Sequence, residues 1–245
     1  MLFPLRRVGG APPLLCAFAL LLCGLFGKPA HAARPMVTDD ARIVEPKSCQ
    51  LETWLQYRLG DMEYWALPGC NFTGNLEITF GGALTKGFRQ PTLLTDILFQ
   101  GKTMFKTLEP NSWSLGLALG NLRRPRVHSD RSPVGDFYLY MPASFAFFEE
   151  LLVVHFNGGW RYEKARRGHH LRWGVGFELQ LSEHSWLMAE AFSEDSSGAF
   201  FQVGLRLWLV PERVQVDATL GDHLEKSRAQ ERWFSVGLRL MSPAW

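Results

Sequence analysis

Residues 170–181 read HLRWGVGFELQL, and their order decides the fold. Leu171, Trp173, Val175, Phe177, Leu179 and Leu181 fall on one side of an extended chain. His170, Arg172, Gly174, Gly176, Glu178 and Gln180 fall on the other. Successive side chains of a strand point to opposite faces, so this stretch is a strand with one apolar and one polar face. The pattern returns in 201–209, FQVGLRLWL, with Phe201, Val203, Leu205, Leu207 and Leu209 opposite Gln202, Gly204 and Arg206. It returns again in 213–221, where Val214, Val216, Ala218 and Leu220 alternate with Arg213, Gln215, Asp217 and Thr219.

Working outward, the alternation predicts twelve strands: 50–58, 62–67, 73–84, 93–106, 112–120, 136–142, 149–162, 169–181, 185–194, 199–210, 212–221 and 232–241. Several are far longer than the five or six residues common in soluble sheets, and match the roughly 9–11 needed to cross a bilayer at a tilt. The polar face mixes charged and amide groups with Gly116, Ala118, Gly174, Gly176, Gly204 and Gly237, as a narrow barrel interior requires. The expected fold is all-β: a transmembrane, antiparallel, up-and-down barrel of about twelve strands, with ten as the alternative count. The alternative arises because 141–148 should be a short turn by parity and is not short. The nine tryptophans are expected near strand ends, in interfacial girdles. Trp245 is out of phase with Phe234, Val236, Leu238 and Leu240 and follows Pro243, so either a bulge or a short tail ends the chain.

The first residues read as an address. Arg6 and Arg7 precede an apolar run from Leu14 to Phe26, and Ala30-His31-Ala32 is a small-x-small cleavage site. This predicts a cleaved signal peptide over 1–32, a flexible lead-in over 33–48 and a barrel over 49–245. Of 26 Lys+Arg, three lie in 1–32 and no acid does, so the remainder carries 23 against 24 Asp+Glu, a net charge of −1. No nucleic-acid partner is expected from such a balance. At 47% hydrophobic and 13% aromatic the chain is no disordered polymer. Cleavage leaves two of the four cysteines, Cys49 and Cys70, which are expected to pair in an oxidising compartment.

The chemistry of catalysis is missing from the pattern. Lipid-acting barrels set a Ser two residues from a His on one strand face, whereas His155 is followed at that spacing by Asn157. No phosphate loop or metal-ligand spacing is present, and the reading is a non-enzyme without cofactor. The phase does place charge inside. Arg172, Glu178, Glu190, Arg206, Asp217 and Arg239 are expected to line the lumen as an ionic belt, either pairing to fill it or lining a constriction. Two outer loops are basic: Arg123, Arg124, Arg126 and Arg131, then Lys164, Arg166 and Arg167. Guanidinium forks match phosphate oxygens, so lipopolysaccharide is the expected partner there.

The stretches VVHFNGGW at 153–160, Glu190 within 187–192, and FFQVGLRLWLVPERVQVDATLGD at 200–222 resemble the outer-membrane barrel family named for the meta-pathway of phenol degradation. The resemblance spans roughly 70–241 and is strongest over 150–240. It implies a barrel of the Gram-negative outer membrane, inserted by the barrel-assembly machinery, that passes small hydrophobic or aromatic solutes. Surrounding lipid is its environment, and a monomer or weak oligomer is expected. The alternatives are a plugged barrel serving structure or adhesion, and a lipid-modifying enzyme.

Overall fold

The computed structural model describes residues 36–128, 132–194, 198–225 and 231–245. The signal-peptide reading of 1–32 and the basic-loop residue Arg131 lie outside them. Twelve strands follow in order: β1 Ser48–Arg58, β2 Asp61–Asn71, β3 Glu77–Gly87, β4 Leu93–Lys106, β5 Trp113–Arg123, β6 Asp136–Phe147, β7 Leu152–Glu163, β8 Gly168–Ser182, β9 Ser185–Ser193, β10 Phe200–Val210, β11 Val214–His223 and β12 Trp233–Met241. Each pairs antiparallel with its sequence neighbours, and β1 pairs with β12 from Gln50–Met241 to Arg58–Trp233, closing the barrel. Closure leaves no strand edge unpaired.

The two ends differ. At the end holding both the start of β1 and the end of β12, the connections are 72–76, 107–112, 148–151, 183–184 and 211–213. At the other end, 124–135 and 224–232 are the long loops. We call these the termini end and the loop end. The twelve-strand count stands over ten, because the stretch 141–148 is mostly strand: β6 continues to Phe147. Pro142 broke the sequence pattern because it carries no N–H for the ladder. Pairing with β5 accordingly lapses between Leu115–Ala143 and Ala118–Tyr140, and resumes on both sides. The turn itself is 148–151, with positive φ at Phe148, Glu149 and Glu150.

The exterior is apolar. Phe99, Leu119, Leu139, Val203, Leu205, Leu207, Leu220 and Val236 are exposed, far beyond the isolated apolar patches of a soluble monomer. The buried residues are mostly polar: Gln100, Lys102, His155, Glu178, Arg206, Gln215, Asp217 and Ser235 are all under 5% exposed. This inside-out distribution is what a lipid-facing barrel wall requires.

Cys49 and Cys70 are directly cross-strand partners in the β1–β2 hairpin and are joined by a disulfide at the termini end. The same register brings Trp54 opposite Trp65. Beyond β12 the chain keeps pairing for a few residues. The Ser242 N–H donates to the Cys49 carbonyl at 2.8 Å and the Trp245 N–H to the Lys47 carbonyl at 3.0 Å. The Trp245 ring lies 6.1 Å from that of Phe72, so the chain ends in a short tail with no bulge restoring the phase.

Candidate functional site

Residues 36–47, read from composition as part of a flexible lead-in, enter the lumen from the termini end and reach mid-barrel. Lys47 N–H still donates to the Asn71 carbonyl of β2 at 2.7 Å, but the residues before it lie in no ladder of the sheet, and unpaired buried N–H and C=O groups are costly. Lumen side chains take that role. The Glu190 carboxylate accepts the N–H groups of Val37 at 2.8 Å and Thr38 at 2.6 Å. Asn157 accepts the Asp39 N–H and donates to the Asp39 carbonyl, both at 2.7 Å. Ser144 Oγ accepts from Ala41 N–H at 2.8 Å, and Glu77 from Val44 N–H at 2.8 Å. Lys102 Nζ donates to the Asp40 carbonyl at 2.7 Å and pairs with Asp39 at 2.9 Å, while Arg42 pairs with Glu150 at 2.7 Å. Two glycines make room on β8. A Cβ on Gly174 would meet Thr38 Oγ1 at 2.5 Å, and one on Gly176 would meet Met36 Cε at 2.9 Å. The alternation of small and charged residues along 170–181 therefore accommodates a threaded chain as well as barrel curvature.

The expected belt resolves into separate parts. Arg206, 0% exposed, donates from Nε to Asp217 at 2.8 Å and from a terminal nitrogen to Glu178 at 2.7 Å. Glu190 holds the threaded segment and accepts from Gln202. Arg239 faces Glu52 on β1 at 4.0 Å. Arg172 stands apart near the loop end, paired with Glu194 and stacked over Tyr138 and Tyr140 at 5.3 and 5.7 Å. Strands of a barrel are tilted and staggered, so residues sharing a face need not share a height.

Above the segment lies a vestibule of about 450 Å³, open at the loop end and floored by Met36 and Val37. Below it, between the segment and Lys102, Glu77 and Arg239, a second space of about 20 Å³ has room for roughly one water. The vestibule walls combine aromatic rings with charged and amide groups such as Arg58, Glu63, Asp96 and Gln100. Trp54 and Trp65 stack at 5.2 Å and 7°, near Tyr138 and Tyr140, while Phe192, Phe200 and Trp233 line another part of the wall. The girdle expectation is thus corrected. Trp54, Trp65, Trp186, Trp208 and Trp233 face the lumen, and Trp113, Trp160 and Trp173 face outward. Sequence position near a strand end carried the expectation, but the face on which each tryptophan falls decides.

The structure also brings together a group that no spacing along the sequence reveals. Ser144 Oγ lies 2.8 Å from His155 Nδ1, and His155 Nε2 lies 3.5 Å from Glu178. A His and Ser two residues apart share one strand, whereas Ser144 and His155 are cross-strand partners on β6 and β7. All three side chains are nearly without solvent contact, Ser144 Oγ is capped by Ala41 N–H, and Glu178 is held by Arg206. With the segment in place no substrate reaches the hydroxyl, and the group works as a clamp on the threaded chain.

The basic loop residues are scattered. Arg124 turns to Asp136, which also accepts from Arg161 at 2.7 Å, His128 at 2.8 Å and the Lys164 N–H at 2.9 Å. Arg123 donates to the Ser132 carbonyl, Lys164 Nζ to the Val134 carbonyl, and Arg166 lies 3.4 Å from Glu163. Arg126 and Arg167 are exposed. Asp136 thus gathers loops 124–135 and 164–167 at the vestibule mouth.

Residues 20–241 match the family described as uncharacterised conserved protein UCP029691, and the chain belongs to it. The match shows this family, and it does not show the meta-pathway family that the sequence resembles. No curated protein matches. Among solved structures the barrel is similar to the KdgM porin in complex with disordered oligogalacturonate, with a TM-score of 0.59 at 9% identity over 78% of this chain and 98% of that one. It is similar to the NanC porin, at 0.54 and 6% over 78% and 98%. It is also similar to the COG4313 outer membrane channel from Pseudomonas putida F1, at 0.54 and 11% over 83% and 98%. The shared property is the closed barrel of outer-membrane porins and channels.

Proposed function

We propose that the protein is an outer-membrane channel of a Gram-negative bacterium that admits small solutes with apolar or aromatic bodies to an outward-facing vestibule. Passage to the periplasm then requires residues 36–47 to shift. The observation that carries this reading is the vestibule itself: a solute-sized cavity, partly walled by aromatic rings and open at the loop end, that stops on Met36 and Val37. The long loops 124–135 and 224–232 support reading that end as the outer one. Side chains lining a barrel decide what enters it, and stacked aromatic walls favour flat apolar groups.

The test is conductance in a planar bilayer of the refolded mature chain beside a variant lacking 33–46. Small or rare steps in the intact chain and large stable steps in the variant support a gated channel. A heat-modifiable, correctly folded variant without conductance sinks it. That outcome favours the second reading, a structural barrel whose lumen is filled by the Arg206–Glu178–Asp217 cluster as well as by the segment.

A further inference from the structure

We infer that the outer face of β5–β8 at the loop end is a docking site for lipopolysaccharide, with an acyl chain in an aromatic groove and a phosphate on the basic rim above it. The inference goes beyond the channel reading, and rests on it only for placing the loop end at the outer leaflet.

The alternation that separates lipid from lumen also divides the basic loops. Arg124 and Arg161 fall on the inner side, where they line the vestibule and turn to Asp136. Arg123 shares the outward side of β5 with Leu119, and Lys164 follows Trp160 and Tyr162 in the outward phase of β7. Arg123 donates to the Ser132 carbonyl and Lys164 Nζ to the Val134 carbonyl at 2.9 Å, which holds both side chains at the rim. Arg167 is exposed in the turn before β8. His169 joins the outer face by stacking on Trp160 at 5.5 Å, and its ring lies 5.1 Å from that of Tyr162.

Strand register sets these groups in rows. Leu119, Leu139 and Trp160 are cross-strand partners in one row, and Asn121, Phe137, Tyr162 and His169 in the next. Arg123 and Lys164 stand two residues further on, roughly 7 Å nearer the loop end. Below them Leu119, Phe137, Leu139, Trp160 and Tyr162 border an outward groove of about 320 Å³. Trp160 and Tyr162 stack at 6.4 Å and 18° as its wall on β7.

Acyl chains surround the whole barrel, so apolar contact alone favours no position on it. Selectivity needs a groove into which a chain packs, with cations at headgroup height directly above. Phosphate oxygens accept charge-assisted hydrogen bonds from guanidinium and ammonium groups, and basic clusters beside a spanning segment recognise anionic headgroups. Aromatic rings sit at the same boundary in membrane barrels. Lipopolysaccharide joins acyl chains to a phosphorylated sugar head in the outer leaflet, and so matches both halves of the surface.

Native mass spectrometry of the intact, refolded mature chain in detergent tests this, with bisphosphorylated lipid A, dephosphorylated lipid A and phosphatidylglycerol as probes. Lipid A should give a one-to-one adduct, and the other lipids should bind roughly tenfold more weakly or worse, the ratio that about 1.4 kcal/mol represents. R123A/K164A/R167A should cost lipid A a similar factor, whereas R213A, which removes an exposed arginine at the termini end, should change nothing. If the triple variant fails to fold by heat-modifiable mobility, L119W keeps every cation, fills the groove and should weaken lipid A comparably. No adduct, equal binding of either comparison lipid, an equal loss in R213A, or unaltered binding by the folded variants overturns the assignment. Conductance plays no part in the titration, so a silent barrel would overturn the channel reading and leave this site standing.

Discussion

The Glu190 carboxylate accepts the backbone N–H of Thr38 at 2.6 Å. A side chain of β9 thus substitutes for a sheet neighbour and fixes the entering chain in mid-lumen. Removing it in E190A strands the buried Thr38 donor, worth about 1–3 kcal/mol when left without a partner, and the half-buried Val37 donor beside it. Trypsin cleavage after Arg42 in the folded barrel should accelerate sharply. A rate equal to that of the parent would show that Glu190 does not hold the segment.

Gly174 tests the same seat from the other side. The Cβ of G174V would lie 2.5 Å from Thr38 Oγ1, and its two methyl groups add bulk beyond that contact. Gly174 pairs with Asn157 and Phe192 in the wall, and valine suits a strand. The variant should fold with native gel mobility and conduct more than the parent. Native conductance would mean the segment accommodates the extra bulk.

Arg206 is the centre of the buried ion cluster. R206A leaves Glu178 and Asp217 uncompensated and should cost about 3–5 kcal/mol of stability. Replacing all three by apolar residues of similar volume should restore most of that loss. Urea midpoints of the single and triple variants decide it, and a single variant as stable as the parent would remove the cluster from the account.

Leu205 faces outward and is half exposed. L205R near the membrane midplane should cost about 2–4 kcal/mol. Unfolding from lipid vesicles measures this, and a negligible cost would contradict the assigned lipid face.

The Cys49–Cys70 bridge closes a sequence separation of 21 residues between paired strands. C49S/C70S should lose at most about 3 kcal/mol by loop entropy. The β1–β2 register should survive, because eleven residue pairs maintain it. Loss of barrel folding in the double serine variant would show that the bridge acts during assembly.

Much of the barrel was legible because lipid and lumen impose a two-residue period. β4 matches its predicted range, 93–106, and β10 extends from Phe200 where 199 was expected. The errors fall where backbone chemistry interrupts the period. Pro142 hid the second half of β6, and Pro68-Gly69 hid the end of β2. Gly74, at φ 104°, made a turn where strand β3 was expected to begin, with its N–H capped by Asn71 at 2.8 Å. One signal was present and unused. A disulfide directly across a two-residue hairpin loop sets its register, and that register alone places Trp54 opposite Trp65.

The sequence by itself determined which face of the alternating strands meets lipid and the Cys49–Cys70 pair, and it narrowed the strand count to twelve or ten, since each follows from local alternation or from a count. Only the tertiary structure decided what fills the barrel. Heights around a tilted wall depend on the stagger of all twelve strands, so the single belt expected from phase separates into the Arg206 cluster, the Glu190 seat and the Arg172 stack. The path of 36–47 depends on partners up to 153 residues away, from Glu77 to Glu190. No periodicity in that segment records them, because its backbone groups make most of the bonds and every residue but proline carries the same N–H and C=O.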